Sequence, residues 1–392
     1  MTTWQQSPTD PAFVQNPYPG YAQALARGSV HEWPDYGMKA VFSHAMVQGI
    51  LRDRRFGREP IEPVQYPEHL APFYAVEAHS MLELEPPRHK RLRGLVLRAF
   101  TSRRIKELQP EIEALCDDLL APLPRDAPFD LIERYCAPIP VIIICRLLGV
   151  PESMADQLLV WSNAMVAMYQ ARRDDALERA AAAAAQDFSD FLRGYIDAKR
   201  RTPRDDLITH LIAAEEDGES LSTDELISTC ILLLNAGHEA TVHTIGNGVK
   251  TLLESGTPLD ALAPDAIERT VEEILRYDPP LHVFTRFCYE EVQMGRTTFQ
   301  RGDEIALMLA AANRDAQVWE DPDVFDAARP AKTNASFGGG LHFCVGAPLA
   351  RLELQVALPK LFAHMPDLTI TEPPRYADLY HFHGLERLMV RA

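Results

Sequence analysis

From about residue 100 to 278, apolar positions recur at three- and four-residue spacings, over 105–120, 154–168, 188–196 and 207–215, the period of helices with one buried face. The longest such segment opens at Ser222-Thr223-Asp224-Glu225, where Ser and Glu three apart form a capping box. It runs to Glu254 before Gly256 and Pro258 stop it. Strand signals are small and few. Residues 30–33 and 38–42 flank the turn-rich Pro34-Asp35-Tyr36-Gly37 and predict a hairpin. The alanines of 180–185 read as helix, on the surface or between helices, because Ala has the highest helix propensity. The pattern predicts a mainly α protein with minor β. With no Gly/Ser-rich linker and no repeat, residues 1–392 are expected to form a single large domain.

Composition narrows this further. Apolar residues at 46% and charged residues at 24% describe a globular chain, neither fibrous nor disordered. The most apolar stretch, 136–148, is interrupted by Pro138, Pro140 and Arg146, far from the roughly 20 clean residues of a membrane helix. Nothing near the start resembles a signal peptide, so a cytoplasmic protein is expected. A net charge of −17 argues against general nucleic-acid binding. Cys116, Cys136, Cys145, Cys230, Cys288 and Cys344 are scattered without a CxxC pair, which fits neither a disulfide scaffold nor a structural zinc site.

Three stretches carry candidate chemistry. In Phe337-Gly338-Gly339-Gly340-Leu341-His342-Phe343-Cys344-Val345-Gly346-Ala347-Pro348, a glycine-rich turn delivers a cysteine to a helical pattern over 349–358. The glycines let backbone pass close to something flat or bulky, Pro348 suits a first helical turn, and free helix N–H groups favour a thiolate. Glu273 and Arg276 lie three apart in a helical pattern over 264–277 and can pair. In the long helix, Ala236-Gly237-His238-Glu239-Ala240-Thr241 sets Gly237 where it costs about 1 kcal/mol relative to Ala, so a packing or functional reason is sought. His238, Glu239 and His243 hint at a zinc protease, but that motif needs histidines four apart, and five apart they diverge by about 140°.

The cysteine string resembles the heme-binding loop of the cytochrome P-450 family, Phe-Gly-x-Gly-x-His-x-Cys-x-Gly, matched by Phe337, Gly338, Gly340, His342, Cys344 and Gly346. The resemblance covers nearly the whole chain and is to the soluble bacterial type, with no fused redox module. It implies the cytochrome P-450 fold, with heme b between the long helix and the cysteine-loop helix, and Cys344 as the axial thiolate. Glu273 and Arg276 match the family's Glu-x-x-Arg motif, with Arg329 as third member. His89, Arg93, Arg286 and His342 match cations that bind heme propionates. Ala236, Gly237, Glu239 and Thr241 fall in its oxygen-binding segment, where a distorted helix makes room for O2 while an acid and a hydroxyl deliver protons. Here Ala240 replaces the usual Thr, so Thr241, an ordered water or a substrate hydroxyl would supply that group.

The resemblance also implies partners. Eight Lys or Arg and no acid lie between Arg88 and Lys106. By themselves they read as a solvated face. In the family the corresponding helix borders the surface that receives electrons, which makes Arg88, Lys90, Arg91, Arg103 and Arg104 a candidate dock for a 2Fe-2S ferredoxin. That ferredoxin would be reduced by NAD(P)H through a ferredoxin reductase. The implied enzyme is a monomer that hydroxylates or O-dealkylates an apolar small molecule, with Leu232, Asn235, Val283, Phe284 and Phe382 in its pocket. No nucleic acid or membrane is involved. A peroxide-driven peroxygenase and a non-catalytic heme sensor are the alternatives.

Overall fold

The capping box closes the first turn of the longest helix, Thr223–Glu254: Ser222 Oγ accepts from the Glu225 amide at 3.2 Å, and the Glu225 carboxylate accepts from the Ser222 amide at 2.9 Å. A computed structural model describes residues 2–169, 173–216 and 219–392. Their contacts form two compact units. One comprises residues up to Gly57, Gln109–Ala137 and Ala240–Ala392, and the other Arg58–Leu108 and Pro138–Glu239. The chain crosses between them four times and the long helix contributes to both, so no linker marks the division in the sequence.

The first unit is built on a six-stranded mixed sheet, larger than the sequence suggests. Its order is Thr2–Thr3, Val30–Trp33, Met38–Val41, Glu304–Met308, Val283–Cys288 and Phe56–Gly57. The expected hairpin is present, antiparallel, with Gly37 in the left-handed region at φ 64°. Glu304–Met308 pairs parallel with one neighbour and antiparallel with the other. Its alternate side chains enter different cores: Ala306 and Met308 join Trp4, Phe13, Tyr21, Trp33 and Phe42, whereas Ile305 and Leu307 join Val47, Ile50, Phe56 and Phe299. A strand buried on both faces is a short apolar run with no alternation, hence its weak sequence signal. The helix Ile267–Tyr277 begins three residues later than the pattern suggested, and Ala347–His364 packs on Gln109–Leu120.

The second unit is helical. Asp175–Arg201 packs on Ala155–Val166, with the Trp161 ring 5.2 Å from that of Phe188. Ala181, Ala182, Ala184 and Ala185 are buried, so the alanine run sits between helices. The pattern over 105–120 divides at Leu108 into Ser102–Glu107 and Gln109–Leu120, and that over 207–215 ends as helix at Ala213. Among the described residues, no helix is long and apolar enough to cross a membrane.

One buried acid in Ala347–His364 stands out. Glu353 is 1% exposed, neither of its oxygens has a hydrogen-bond partner, and burial pushes its carboxyl up to about 8. Its proton is therefore held more tightly in the folded chain than in the unfolded one. Its contribution falls as pH rises from the ordinary 4.5 through the folded value. Glu353→Gln is expected to raise Tm at about pH 8.5 and leave it unchanged at about pH 5; the same shift at both pH values in thermal melts would contradict this.

Candidate active site

Cys344 is carried on a turn whose shape depends on two glycines. Gly338 and Gly340 have φ 69° and 65°, the left-handed region that side chains disfavour. A Cβ on Gly340 would fall 2.1 Å from the Leu51 carbonyl oxygen, so only glycine lets the loop cross that backbone. The Cys344 amide donates to the Phe337 carbonyl at 3.0 Å, which closes the turn. The helix begins at Ala347, three residues beyond the cysteine, with Pro348 in its first turn. The thiol is half-buried, and Phe343 beside it is exposed. The guanidinium of Arg351 lies 4.6 Å from the Phe337 ring centroid.

Glu273, Arg276 and Arg329 meet as the sequence suggested. Arg276, 1% exposed, donates from Nε and Nη2 to the two Glu273 oxygens at 2.7 Å each. Arg329 Nε donates to Glu273 Oε1 at 3.1 Å. Arg276 also donates to the carbonyls of Asn313, Pro322 and Val324 at 3.0, 2.8 and 3.2 Å. Two residues that sequence reasoning missed carry this network to the cysteine loop. The Asn313 side chain accepts from the Ala335 amide at 2.6 Å and donates to Ser336 Oγ at 2.8 Å, while Ser336 Oγ donates to the Leu275 carbonyl at 2.6 Å. Ser336 directly precedes the motif, which was its only signal; Asn313 had none.

The cations expected for heme carboxylates fall in both units. Arg286 is buried on Val283–Cys288 and donates to the Thr285 carbonyl at 2.7 Å, and His342 lies in the short helix Gly340–His342. In the second unit, His89 and Arg93 project from Arg88–Ala99, with His89 buried.

The long helix has one accessible face. Leu232, Asn235, Ala236, Glu239, Ala240 and His243 are half-buried or exposed, whereas Thr241 is 5% exposed. Nine residues after Leu232, Thr241 points about 180° away from it. Thr241 therefore lies off the face that carries Glu239. The helix is α throughout Thr223–Glu254. A Cβ on Gly237 would stand 3.5 Å from Ile144, so Gly237 sits in ordinary contact rather than in a gap.

The pocket candidates divide. Val283 is buried and packs in the core of Trp4 and Phe13. Phe284 is half-buried, 3.1 Å from where a Gly338 Cβ would lie, and Phe382 is half-buried and bridged to Leu281. Leu232 is accessible. Asn235 donates weakly to Met165 Sδ at 3.8 Å and leaves its side-chain oxygen without a hydrogen-bond partner. The basic run is smaller than counted. Arg91 pairs with Glu225, Arg104 with Asp205 and Arg103 with Glu107 at 2.8 Å, while Arg88, Lys90 and Arg103 are exposed.

A cysteine on a glycine-rich turn, braced by a buried Glu-x-x-Arg network, is the arrangement of a heme-thiolate protein. The donor set fits heme: a thiol for iron, and a buried guanidinium and an imidazole for its carboxylates. The family profile Cytochrome P450 matches residues 36–255 and 266–365. The chain is 40% identical to a vitamin D(3) 25-hydroxylase of Pseudonocardia autotrophica, covering 96% of this chain and 94% of that one. It is 36% identical to the cytochrome P450 monooxygenase PikC of Streptomyces venezuelae, covering 97% and 92%. The crystal structure of P450BioI in complex with an acyl carrier protein ligated to hexadec-9Z-enoic acid superposes with TM-score 0.92 at 32% identity, covering 97% of this chain and 99% of that one. The chain belongs to the cytochrome P450 family, and it is a monooxygenase of that family with bacterial biosynthetic relatives.

Removing one partner from a buried ion pair costs about 3–5 kcal/mol. Arg276→Ala is therefore expected to lower denaturant stability by that order and to cut the heme retained on purification. Wild-type stability in a chemical melt would contradict the network's role.

Proposed function

We propose that this P450 inserts one atom of O2 into a C–H bond of an apolar small molecule, by hydroxylation or O-dealkylation, in the cytoplasm. Electrons would come from NAD(P)H through a ferredoxin reductase and a 2Fe-2S ferredoxin. The observation that carries this reading is Glu239, an acid on the accessible face of the long helix. Heme, when bound, supplies O2 binding and an iron made electron-rich by its thiolate, which favours O–O cleavage. The chain's part is to hold that thiolate on Cys344 and to engage the heme carboxylates through His89, Arg93, Arg286 and His342. Phe337, Gly338 and Gly346 shape the loop around the cysteine.

Glu239 delivers protons, with Ala236 and Gly237 beside it on the helix. The hydroxyl that Ala240 lacks comes from an ordered water or a substrate hydroxyl, since Thr241 faces elsewhere. The substrate rests on Leu232, Phe284 and Phe382, and a polar group on it donates to the Asn235 side-chain oxygen. The vitamin D(3) 25-hydroxylase among the relatives supports an apolar body of this kind.

Product should form with NADH, ferredoxin reductase and ferredoxin and not with hydrogen peroxide alone; product only with peroxide would support the peroxygenase reading, and none from either source a heme sensor. Thr241→Ala should keep the wild-type ratio of product to NADH consumed, while a collapse into peroxide formation would restore Thr241 to proton delivery. Lys90→Glu with Arg103→Glu should raise the ferredoxin concentration for half-maximal turnover several-fold at low salt, an effect that fades at high salt. Unchanged kinetics at low salt would remove that docking face.

A further inference from the structure

Away from the cysteine loop, the first unit buries a cluster of ligating groups that neither the motifs nor the proposed reaction uses. Asp278, His282 and His383 each bring one oxygen or nitrogen within 4.8 Å of the others, and all three are buried. They are the one such trio found among the described residues. We propose that Asp278, His282 and His383 form a structural site for a zinc ion.

Three features of the geometry point to an ion rather than to a simple ion pair. First, His383 Nε2 stands 3.4 Å from Asp278 Oδ1. That is longer than the roughly 2.7–2.9 Å of a charge-assisted hydrogen bond. It matches the separation of about 3.3 Å between two ligands at 2.0–2.1 Å on one tetrahedral ion. Second, His282 Nδ1 bonds to the Tyr21 hydroxyl at 2.8 Å, while its Nε2 is buried with no hydrogen-bond partner. A ring tied at one nitrogen and open at the other is how a metal-ligating histidine is oriented. Third, the carboxylate has its own supports: Asp278 accepts from Tyr18 at 2.6 Å and from Tyr376.

The backbone is set before any ion arrives. Asn247 Nδ2 donates to the carbonyls of both Asp278 and His383, at 3.2 and 2.8 Å, and the His383 amide donates to the Pro280 carbonyl at 2.7 Å. The His383 ring stacks on Tyr376 at 3.7 Å. Two imidazoles and a carboxylate are a borderline-soft donor set that suits zinc over magnesium or calcium. Arg314 lies over the Tyr18 ring and Lys250 over Tyr376, so an anionic fourth ligand such as hydroxide would offset part of the crowded positive charge. The ion would pin the loop that carries Phe382, whose bridge to Leu281 leads straight into His282.

The test is metal analysis of the untagged, heme-loaded protein after equilibration with micromolar zinc and dialysis. About one zinc per chain is expected, counted apart from heme iron. His282→Ala and His383→Ala should each lower that at least tenfold with heme content unchanged. Less than a tenth of a zinc per wild-type chain, or full zinc in both variants, overturns the proposal. Should the variants fail to fold, zinc-edge X-ray absorption of the wild type decides. Nitrogen and oxygen neighbours at roughly 2.0–2.2 Å support the site, and a sulfur shell at roughly 2.3 Å contradicts it.

Discussion

The first unit is organised around one buried charge. Arg276 carries five N–H donors and a charge, so a folded chain that excludes it from water must meet those donors with acceptors. It does so with the two oxygens of Glu273 and three backbone carbonyls drawn from the segment after Asn313. Those bonds fix Asn313, whose side chain fixes Ala335 and Ser336, whose hydroxyl returns to the same helix at Leu275. The next residue is Phe337, where the cysteine turn begins. A guanidinium far along the sequence from Cys344 thus positions it through side-chain and backbone hydrogen bonds.

The glycines of that turn answer a second constraint. Gly340 crosses the Leu51 carbonyl too closely for any side chain, and the crossing ties the loop to the helix His44–Arg52 beneath it. Rigidity from below, with a half-buried Cys344 and an exposed Phe343 beside it, gives a fixed ligand geometry close to the surface.

Much of this was legible in the sequence, and for physical reasons. The cysteine loop, the Glu-x-x-Arg pair and the capping box are local patterns in which spacing dictates contact, and each formed as spaced. The hairpin was readable because its turn chemistry is local too. The six-stranded sheet was not, because it gathers strands of two to six residues from opposite ends of the chain. The pairing of Arg104 with Asp205 was equally hidden, since Asp205 lies about a hundred residues away in sequence. Thr241 is a different case. The helical period already turns it away from the Ala240 position, and the structure buries it opposite Leu232. Asp278, His282 and His383 escaped notice because no single spacing unites them.

What the fold delivers is a thiol held by a chain of buried bonds and an acid presented on one helix face. The account stands on Cys344 being the iron ligand, and the absorption spectrum of the reduced protein under carbon monoxide tests that most directly. A difference band at the red-shifted position of thiolate-ligated heme is predicted for the wild type, and its loss in Cys344→Ala with heme still bound. Heme bound in the wild type without that band, or the same band in Cys344→Ala, would contradict the account.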